Sequence, residues 1–230
     1  MNVIDRTVFD AFGQIAGSSP RFDAFIRIWV SEEIGFKSDL AMAAVWWTWF
    51  RPGNNARSQR SAVLSAIVGT AVAVFLGRIL SHAFPFRMRP FADPSLHLTL
   101  PSGSSRFGLR LWSSFPSDHA LVWAAIATGM GAVSTGVGIL LWTVGAILVC
   151  APRVYVGLHF PTDILAGFAI GALVGWGITR PRICEVLSQP FLLWESRRPS
   201  WFYAAAFLLT LHVADMFSVV RMLGYTLLHG

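Results

Sequence analysis

Charged residues are scarce in this chain. Only 13% of its 230 residues are Asp, Glu, Lys or Arg, whereas 54% are hydrophobic; a soluble domain averages about 25% charged residues. The mean hydropathy is +0.57. This balance excludes an ordinary soluble domain and predicts a bilayer environment. Because a spanning helix needs about 20 apolar residues, we expect one all-α, polytopic membrane domain over residues 1–230, with about six transmembrane helices.

Cysteine and lysine are also scarce. Two cysteines, Cys150 and Cys184, are too few for a disulfide framework, and we expect neither a disulfide nor a metal site. The net charge of +6 comes from arginines, with Lys37 the single lysine. These arginines lie scattered between apolar runs without a basic-aromatic face, so we expect no nucleic-acid partner. Positive-inside topology and contact with anionic headgroups both remain open as explanations for them.

Apolar runs separated by turn-forming residues predict the order of the spans. We expect an interfacial helix within 5–27, a long loop at 85–114 and a polar link at 179–200. The expected spans are about 30–50, 61–84, 116–132, 137–151, 160–178 and 201–220. The start of the chain has no charged segment followed by an apolar core, so we expect no cleaved signal peptide.

The short arginine-rich links predict the orientation. Residues 51–60 and 180–198 fall on one face, which we assign to the cytoplasm. The loop 85–114 and the connection near Arg153 then face outward. These outer segments hold arginines too, so the assignment requires that several of them have a functional rather than a topological role.

A histidine and an aspartate stand four residues apart at the start of the fifth span. His159 and Asp163 would share one face of a helix, and a carboxylate there can accept the imidazole N–H and leave the other ring nitrogen nucleophilic. Arg153, at the same membrane surface, could bind phosphate oxygens with its planar fork. A chance His-Asp pair capping a span is an equally good explanation of this motif taken alone.

Two further segments carry candidate residues on the same face. In Pro116-Ser-Asp-His119, Pro116 suits a first helical position, and Ser117 with the free N–H groups forms an anion site. His119 is placed to protonate a leaving oxygen. In Arg87-Met-Arg89-Pro90, arginines at the outer end of span two could hold a phosphate. An ordinary helix start and snorkelling arginines are the alternative explanations.

Together these three motifs resemble the type 2 phosphatidic acid phosphatase superfamily, which includes membrane lipid phosphatases and vanadium haloperoxidases. The resemblance covers residues 78–175, in the order Arg89-Pro90, Pro116-Ser-Asp-His119 and Arg153-x5-His159-x3-Asp163. The segment Phe-Pro-Ser-Asp-His-Ala at residues 115–120 looks most like the corresponding segment of bacterial undecaprenyl-diphosphate phosphatases of the bacitracin-resistance type.

The resemblance implies a role for each motif residue. His159 would attack phosphorus and become a phosphohistidine, Asp163 would orient His159, and His119 would protonate the leaving lipid phosphate. The transferred phosphoryl group would be bound by Arg89, Arg153 and Ser117. The family needs no metal and no other cofactor.

Three positions depart from the family pattern. His82 stands where the family usually has Lys, and Arg78, one turn earlier, is the candidate replacement as phosphate ligand. Asp118 stands where the second motif usually has Gly, so its acid should point away from phosphate or contact another group. Pro152 replaces a Ser that precedes Arg153, which removes one hydrogen bond to phosphate.

We expect the protein to hydrolyse undecaprenyl diphosphate to the monophosphate in a bacterial inner membrane, with the site facing outward and the lipid entering sideways from the bilayer. Three alternatives stay open. The first is a phosphatidylglycerophosphate or phosphatidate phosphatase, and the second is a lipid phosphotransferase that uses the same phosphohistidine. The third is a non-catalytic transporter or binding protein. Protein partners are unknown.

Overall fold

The computed structural model describes residues 1–31, 36–52, 55–104 and 109–214. Within those ranges the regular structure is helical throughout and contains no strand, so the all-α prediction is confirmed. Across those four ranges, the elements with described bounds are ten α-helices, two 3₁₀ turns and one π-helical segment. They are α1 (Val3–Gly13), α2 (Pro20–Val30), α3 (Phe36–Phe50), α4 (Ala56–Ala83), the 3₁₀ turns Pro90–Ala92 and Pro94–Leu96, α5 (Asp118–Gly131), α6 (Thr135–Thr143), the π-helical segment Val144–Cys150, α7 (Ala151–Tyr155), α8 (Pro161–Ile178), α9 (Pro181–Arg197) and α10 (Pro199–Ala214).

Three helices in the described part of the chain are long and apolar enough to cross a bilayer. They are Ala56–Ala83, the continuous helix Thr135–Tyr155 made of α6, the π-helical segment and α7, and Pro161–Ile178. The predicted spans one, three and six correspond to shorter helices, of 15 residues in α3, 14 in α5 and 16 in α10. The count of six therefore stays a prediction, and residues 215–220 of span six lie outside the described residues.

Helix α5 lies at the centre of the fold. It contacts α4, α6 and α8, and ten of its fourteen residues are buried. A helix that is apolar on every side is typical of a position inside a bundle. The site residues at the start of α5 are therefore fixed by packing on several faces.

A stripe of glycines lets α8 approach α5. Gly167, Gly171 and Gly175 recur every four residues, and the position of a Cβ on Gly171 would be only 2.1 Å from the Leu121 carbonyl oxygen. The same construction on Gly175 meets the Ala125 carbonyl oxygen at 2.5 Å. Such a stripe of small residues is typical of closely packed membrane helices.

Two predicted boundaries need correction. Helix α5 begins at Asp118 with Ser117 as its N-cap, so Pro116 precedes the helix rather than occupying its first position; the peptide bond before Pro116 is cis. The polar link at 179–200 is mostly the helix α9. Glu195 on α9 pairs with Arg60 of α4 at 2.8 Å, and such tertiary contacts stabilise a helix that its composition alone does not predict.

The interfacial helix expected within 5–27 is a pair of short helices, α1 and α2. Asn2 caps α1 by accepting from the Asp5 N–H at 2.8 Å, and Ser19 caps α2 ahead of Pro20. Each helix buries an aspartate, Asp5 or Asp23. Because buried carboxylates need partners, these two residues mark where the pair attaches to the rest of the bundle.

Candidate active site

His159 lies in the short connection between α7 and α8. Gly157, two residues earlier, has a φ of +75°, which glycine adopts readily and which turns the chain between the two helices. The His159 side chain is buried, and its Nδ1 lies 2.8 Å from the Ser114 carbonyl oxygen. A carbonyl can only accept, so Nδ1 carries the proton and Nε2 keeps its lone pair. Nε2 lies 3.3 Å from Arg89 Nη1.

Asp163 does not make the hydrogen bond to His159 that the motif predicts. Its Oδ2 lies 3.8 Å from His159 Nδ1, beyond hydrogen-bond range. That oxygen accepts the Phe160 N–H at 2.8 Å, and Oδ1 accepts from Arg87 Nη1 at 2.5 Å. Both oxygens are thus held by other donors, and Asp163 acts on His159 as a neighbouring charge while the Ser114 carbonyl fixes the tautomer.

Burial controls the protonation of His159. Removal from water lowers the pKa of the imidazole below its ordinary 6.5, and the nearby Arg89 guanidinium acts in the same direction. The Asp163 carboxylate and the bond to the Ser114 carbonyl oppose this shift. The net direction is downward, so His159 stays neutral, and nucleophilic, at neutral pH.

Arg89 is held by backbone carbonyls on three sides. Its guanidinium donates to the carbonyl oxygens of Trp112, Ser113 and Leu158 at 2.9–3.3 Å. Burial lowers the pKa of Arg89 to about 10, although the carboxylates of Asp118 and Asp163 raise it. The group therefore remains a cation at neutral pH, fixed beside the unprotonated nitrogen of His159.

Arg153 and His119 form the second half of the site. Arg153 Nη2 lies 2.5 Å from His119 Nε2, and Nη1 donates to the Val149 carbonyl oxygen at 3.1 Å. Arg153 comes from α7 and is buried, whereas His119 is the second residue of α5. The Ser117 N–H donates to the Asp163 carbonyl oxygen at 3.2 Å, so the start of α5 is joined to the start of α8.

The start of α5 has the features of an anion site. Ser117 is fully buried and its Oγ accepts the Ala120 N–H at 3.5 Å. The free N–H groups of the first turn and the helix dipole favour a negative group there. Nearby, the buried Ser114 Oγ has no hydrogen-bond partner among the described residues. A phosphoryl oxygen can accept hydrogen bonds both from backbone N–H groups and from a serine hydroxyl.

Two of the three departures from the family pattern, Asp118 and His82, contact the same residue, Arg78. Arg78 Nη2 lies 2.7 Å from Asp118 Oδ2, and its guanidinium stacks 5.1 Å from the Trp112 ring. His82, expected at the phosphate, is exposed, and its Nδ1 lies 2.8 Å from the Arg78 carbonyl oxygen of its own helix. The described contacts of the His82 ring are to Ser81 and the Arg78 carbonyl of the same helix, and a role of His82 at the phosphate stays a prediction.

Pro152 follows the π-helical segment Val144–Cys150, within which Leu148 lies. A proline has no N–H to donate to the preceding turn. Trp29 Nε1 of α2 donates to the Leu148 carbonyl oxygen at 2.6 Å. Trp29 thus attaches α2 to the helix that carries Pro152 and Arg153.

Two groups at the site, the Ser114 carbonyl and Asp5, are not indicated by the sequence. The Ser114 carbonyl is a backbone group that no side-chain pattern indicates. Arg87 is expected among the arginines that could hold a phosphate, and in the structure it pairs with Asp5 and Asp163. Asp5 accepts a hydrogen bond from Arg87 Nη2 at 2.9 Å. It lies on α1, 82 residues before Arg87 in the sequence, and belongs to no motif.

The pattern that defines the PAP2 superfamily matches residues 62–182, more than half of the chain and all three motifs. The chain belongs to the PAP2 superfamily. The family resemblance inferred from the motifs is therefore confirmed, together with the membrane-protein class. Asp5 and α2 lie outside the matched residues.

Several curated proteins are similar to this chain. An undecaprenyl-diphosphatase from Sulfolobus acidocaldarius is 28% identical over 119 residues, which are 51% of this chain and 53% of that protein. The undecaprenyl-diphosphatase BcrC of Bacillus subtilis is 25% identical over 151 residues, 66% of this chain and 70% of that protein. The bacitracin transport permease protein BcrC of Bacillus licheniformis is 28% identical over 144 residues, 63% of this chain and 60% of that protein.

The chain thus spans between 53% and 70% of the length of these relatives. No solved structure matches it. Within the described ranges no group of three His, Cys, Asp or Glu side chains is arranged to hold a metal ion, and the metal-free reaction stays a prediction.

Proposed function

We propose that this protein is a membrane lipid phosphatase that hydrolyses undecaprenyl diphosphate to undecaprenyl phosphate and inorganic phosphate. The observation that carries the proposal is the tautomer of His159. Its Nδ1–H is fixed by the Ser114 carbonyl at 2.8 Å, and its Nε2 faces the Arg89 guanidinium at 3.3 Å. A neutral imidazole whose Nε2 carries no proton, buried beside a fixed cation, is suited to attack an anionic phosphoryl group once substrate oxygens take over the Arg89 donor.

In the first step, His159 Nε2 forms a bond to the terminal phosphorus and the bond from phosphorus to the bridging oxygen breaks. The electron pair leaves with that oxygen, which His119 protonates. Arg89, Arg153 and the start of α5 hold the three equatorial oxygens. Because charge spreads over these oxygens in the transition state, fixed guanidinium groups supply electrostatic stabilisation there.

In the second step, water attacks the phosphohistidine. His119 accepts the proton of the attacking water, and the bond between phosphorus and Nε2 breaks with its electron pair returning to the ring. Inorganic phosphate leaves and His159 returns to its neutral form. The two arginines carry the compensating charge in both steps, so the proposed reaction is independent of metal ions.

The lipid nature of the substrate is supported by the surroundings of the site. The end of α4 and the segments flanking it expose large apolar side chains beside Arg78 and Arg89. These side chains are Ile79, Phe84, Phe86, Met88 and Leu111. In a bilayer such a surface contacts lipid tails, which supports entry of the substrate sideways from the membrane. The names of two relatives supply undecaprenyl diphosphate as the specific substrate.

We further propose a bacterial inner membrane location with the site facing outward. The support is the distribution of arginines in the links 51–60 and 180–198, which lie on the opposite side of the spans from the site.

A phosphate-release assay on the purified full-length protein tests the proposal. Undecaprenyl diphosphate and phosphatidylglycerophosphate are compared, each with and without a chelator and without any acceptor lipid. We expect chelator-resistant release from undecaprenyl diphosphate, inhibition by vanadate, which imitates five-coordinate phosphorus, and no release by His159→Ala. Activity that requires a divalent ion, or that survives loss of His159, would overturn the mechanism. Preference for phosphatidylglycerophosphate would overturn the substrate, and dependence on an acceptor lipid would indicate a phosphotransferase.

A further inference from the structure

Asp5 is a fully buried carboxylate at the first turn of α1. Its Oδ1 accepts the Thr162 N–H at 2.9 Å, and its Oδ2 accepts the Thr162 hydroxyl at 3.0 Å and Arg87 Nη2 at 2.9 Å. Three hydrogen-bond donors on one carboxylate offset the free-energy cost of removing its charge from water. Two of them belong to the second residue of α8, so α1 is tied directly to the helix start that follows His159.

Arg87 joins Asp5 to Asp163. One arm of its fork, Nη2, binds Asp5, while Nη1 binds Asp163 Oδ1 at 2.5 Å and the Thr162 hydroxyl at 3.0 Å. Its Cζ lies 3.9 Å from the centre of the Phe160 ring. Arg87 therefore touches three residues of the segment that begins directly after His159, and its planar fork suits two acceptors at once.

The other oxygen of Asp163 closes the network. Asp163 Oδ2 accepts the Phe160 N–H at 2.8 Å and lies 3.8 Å from His159 Nδ1. The backbone of residues 159–163 is thus fixed through its own Asp163, and Asp163 is fixed from outside by Arg87 and Asp5.

We propose that Asp5 and Arg87 are positioning residues for His159: they hold Asp163 and the start of α8 so that the ring stays aligned for attack. The inference rests on the proposed function, since alignment matters only if His159 is the nucleophile. It assigns a role at the site to the N-terminal helix, which lies outside the residues 62–182 that define the family match.

A second buried aspartate provides a matched control. Asp23 of α2 is as buried as Asp5, but it accepts from the Tyr155 hydroxyl at 2.6 Å and from the Gly17 N–H at 2.9 Å. It contributes to attachment of the N-terminal pair without touching residues 159–163. Asp10, exposed on α1, controls for charge on the same helix.

The first test measures kcat and KM for phosphate release by Asp5→Asn, Arg87→Gln, the double variant, Asp23→Asn and Asp10→Asn. We expect a loss of about tenfold to a hundredfold in kcat for Asp5→Asn and Arg87→Gln, with KM nearly unchanged. The double variant should match Arg87→Gln to within about twofold, because both changes break one chain of contacts. Arg87→Lys keeps the charge but not the fork, so it should recover only part of the loss.

The controls should keep kcat within about twofold of the wild type. Independent, multiplying losses in the double variant would overturn the inference. So would a loss in Asp23→Asn as large as in Asp5→Asn, because that result would indicate general destabilisation of the N-terminal pair.

Hydrogen exchange provides a readout without activity. The Phe160 N–H is held by Asp163 Oδ2, so exchange of a peptide covering residues 156–164 should accelerate in Asp5→Asn and Arg87→Gln but not in Asp23→Asn. Unchanged exchange would overturn the inference. If the wild type released no phosphate from any lipid, the proposed function would fail, and the exchange data would still decide whether Asp5 and Arg87 hold this segment.

Discussion

Arg78 Nη2 lies 2.7 Å from Asp118 Oδ2. Asp118, which stands in place of the usual glycine of the second motif, is therefore paired with a cation. Arg78 itself lies one helical turn before His82. Arg78 also influences Arg89, since it lowers the pKa of that residue while Asp118 raises it. The pair therefore lies close to Arg89, one of the proposed phosphate ligands. Within it, Arg78 neutralises an acid that would otherwise repel an anionic substrate.

Loss of Arg78 should impair substrate binding. Arg78→Ala leaves Asp118 as an unpaired negative charge next to the phosphate, so we expect KM to rise and kcat/KM to fall by about tenfold, equivalent to about 1.4 kcal/mol. Arg78→Ala combined with Asp118→Gly removes the repulsion as well and should recover part of this loss. Steady-state kinetics on the lipid diphosphate measure both effects.

His82→Ala is the matched control for Arg78, because His82 is exposed and bonds to its own helix. Its kinetic constants should stay within about twofold of the wild type. An equal loss in His82→Ala and Arg78→Ala would show that the usual lysine position still contacts phosphate and that the pairing explanation is wrong.

Replacement of His119 should separate the two chemical steps. His119→Asn should lower phosphate release from the lipid by about 10²–10⁴-fold, the usual contribution of a general acid–base group. With p-nitrophenyl phosphate the leaving oxygen needs little protonation, so the first step is less affected and the phosphohistidine should accumulate. Rapid-mixing experiments should then show a burst of nitrophenol close to one per site. Equal losses on both substrates, without a burst, would contradict the assignment of His119.

The acidic limb of the pH profile should report His159. The neutral imidazole is the nucleophile, and burial lowers its pKa, so protonation and loss of activity should occur only below the ordinary value of 6.5. Arg89 contributes to this downward shift, and Arg89→Gln should therefore move the acidic limb of kcat/KM to higher pH. Because substrate ionisation is the same for both proteins, the difference isolates the enzyme. An unmoved limb would indicate that another group titrates.

Close packing of α8 on α5 should make Gly171 intolerant of a side chain. Gly171→Ala places a Cβ 2.1 Å from the Leu121 carbonyl oxygen, and backbone on both sides gives little room to relax. We expect a loss of about 1–3 kcal/mol in stability, measured as a lower unfolding midpoint in detergent. Gly177, six residues on, has open space around its Cβ position, and Gly177→Ala should leave the midpoint unchanged or raise it slightly. Equal midpoints for the two variants would contradict the packing argument.

The sequence predicts the local part of this architecture well. Asp163 lies in the first turn of α8, four residues after His159 in the preceding connection, and the glycines recur at the period of a helix, so both patterns reflect neighbours along the chain. Segments at the ends of consecutive spans are brought together by topology, which explains why Arg89 meets His159 and Arg153 meets His119 in the structure. Their catalytic roles stay predictions.

Longer-range contacts leave no such pattern. Asp5 reaches Arg87 and Thr162 across 82 and 157 residues, and a single acid on a short amphipathic helix resembles any surface charge. The acceptor for His159 is the Ser114 carbonyl, which every residue type possesses. Four arginines within residues 179–200 predict a polar link there. The helix α9 that occupies most of it contacts Arg60 through Glu195, and this contact depends on the folded bundle.

The bond from Trp29 to the Leu148 carbonyl connects the helix that carries Arg153 to a segment far outside the motifs. The indole belongs to α2, and the carbonyl lies five residues before Arg153 in the continuous helix Thr135–Tyr155. A fragment trimmed to residues 62–182 would keep every motif residue yet lose both Trp29 and Asp5. For protein engineering, the motifs of this enzyme class are therefore not a transplantable unit in this chain: moving them to another scaffold would require moving the first thirty residues as well.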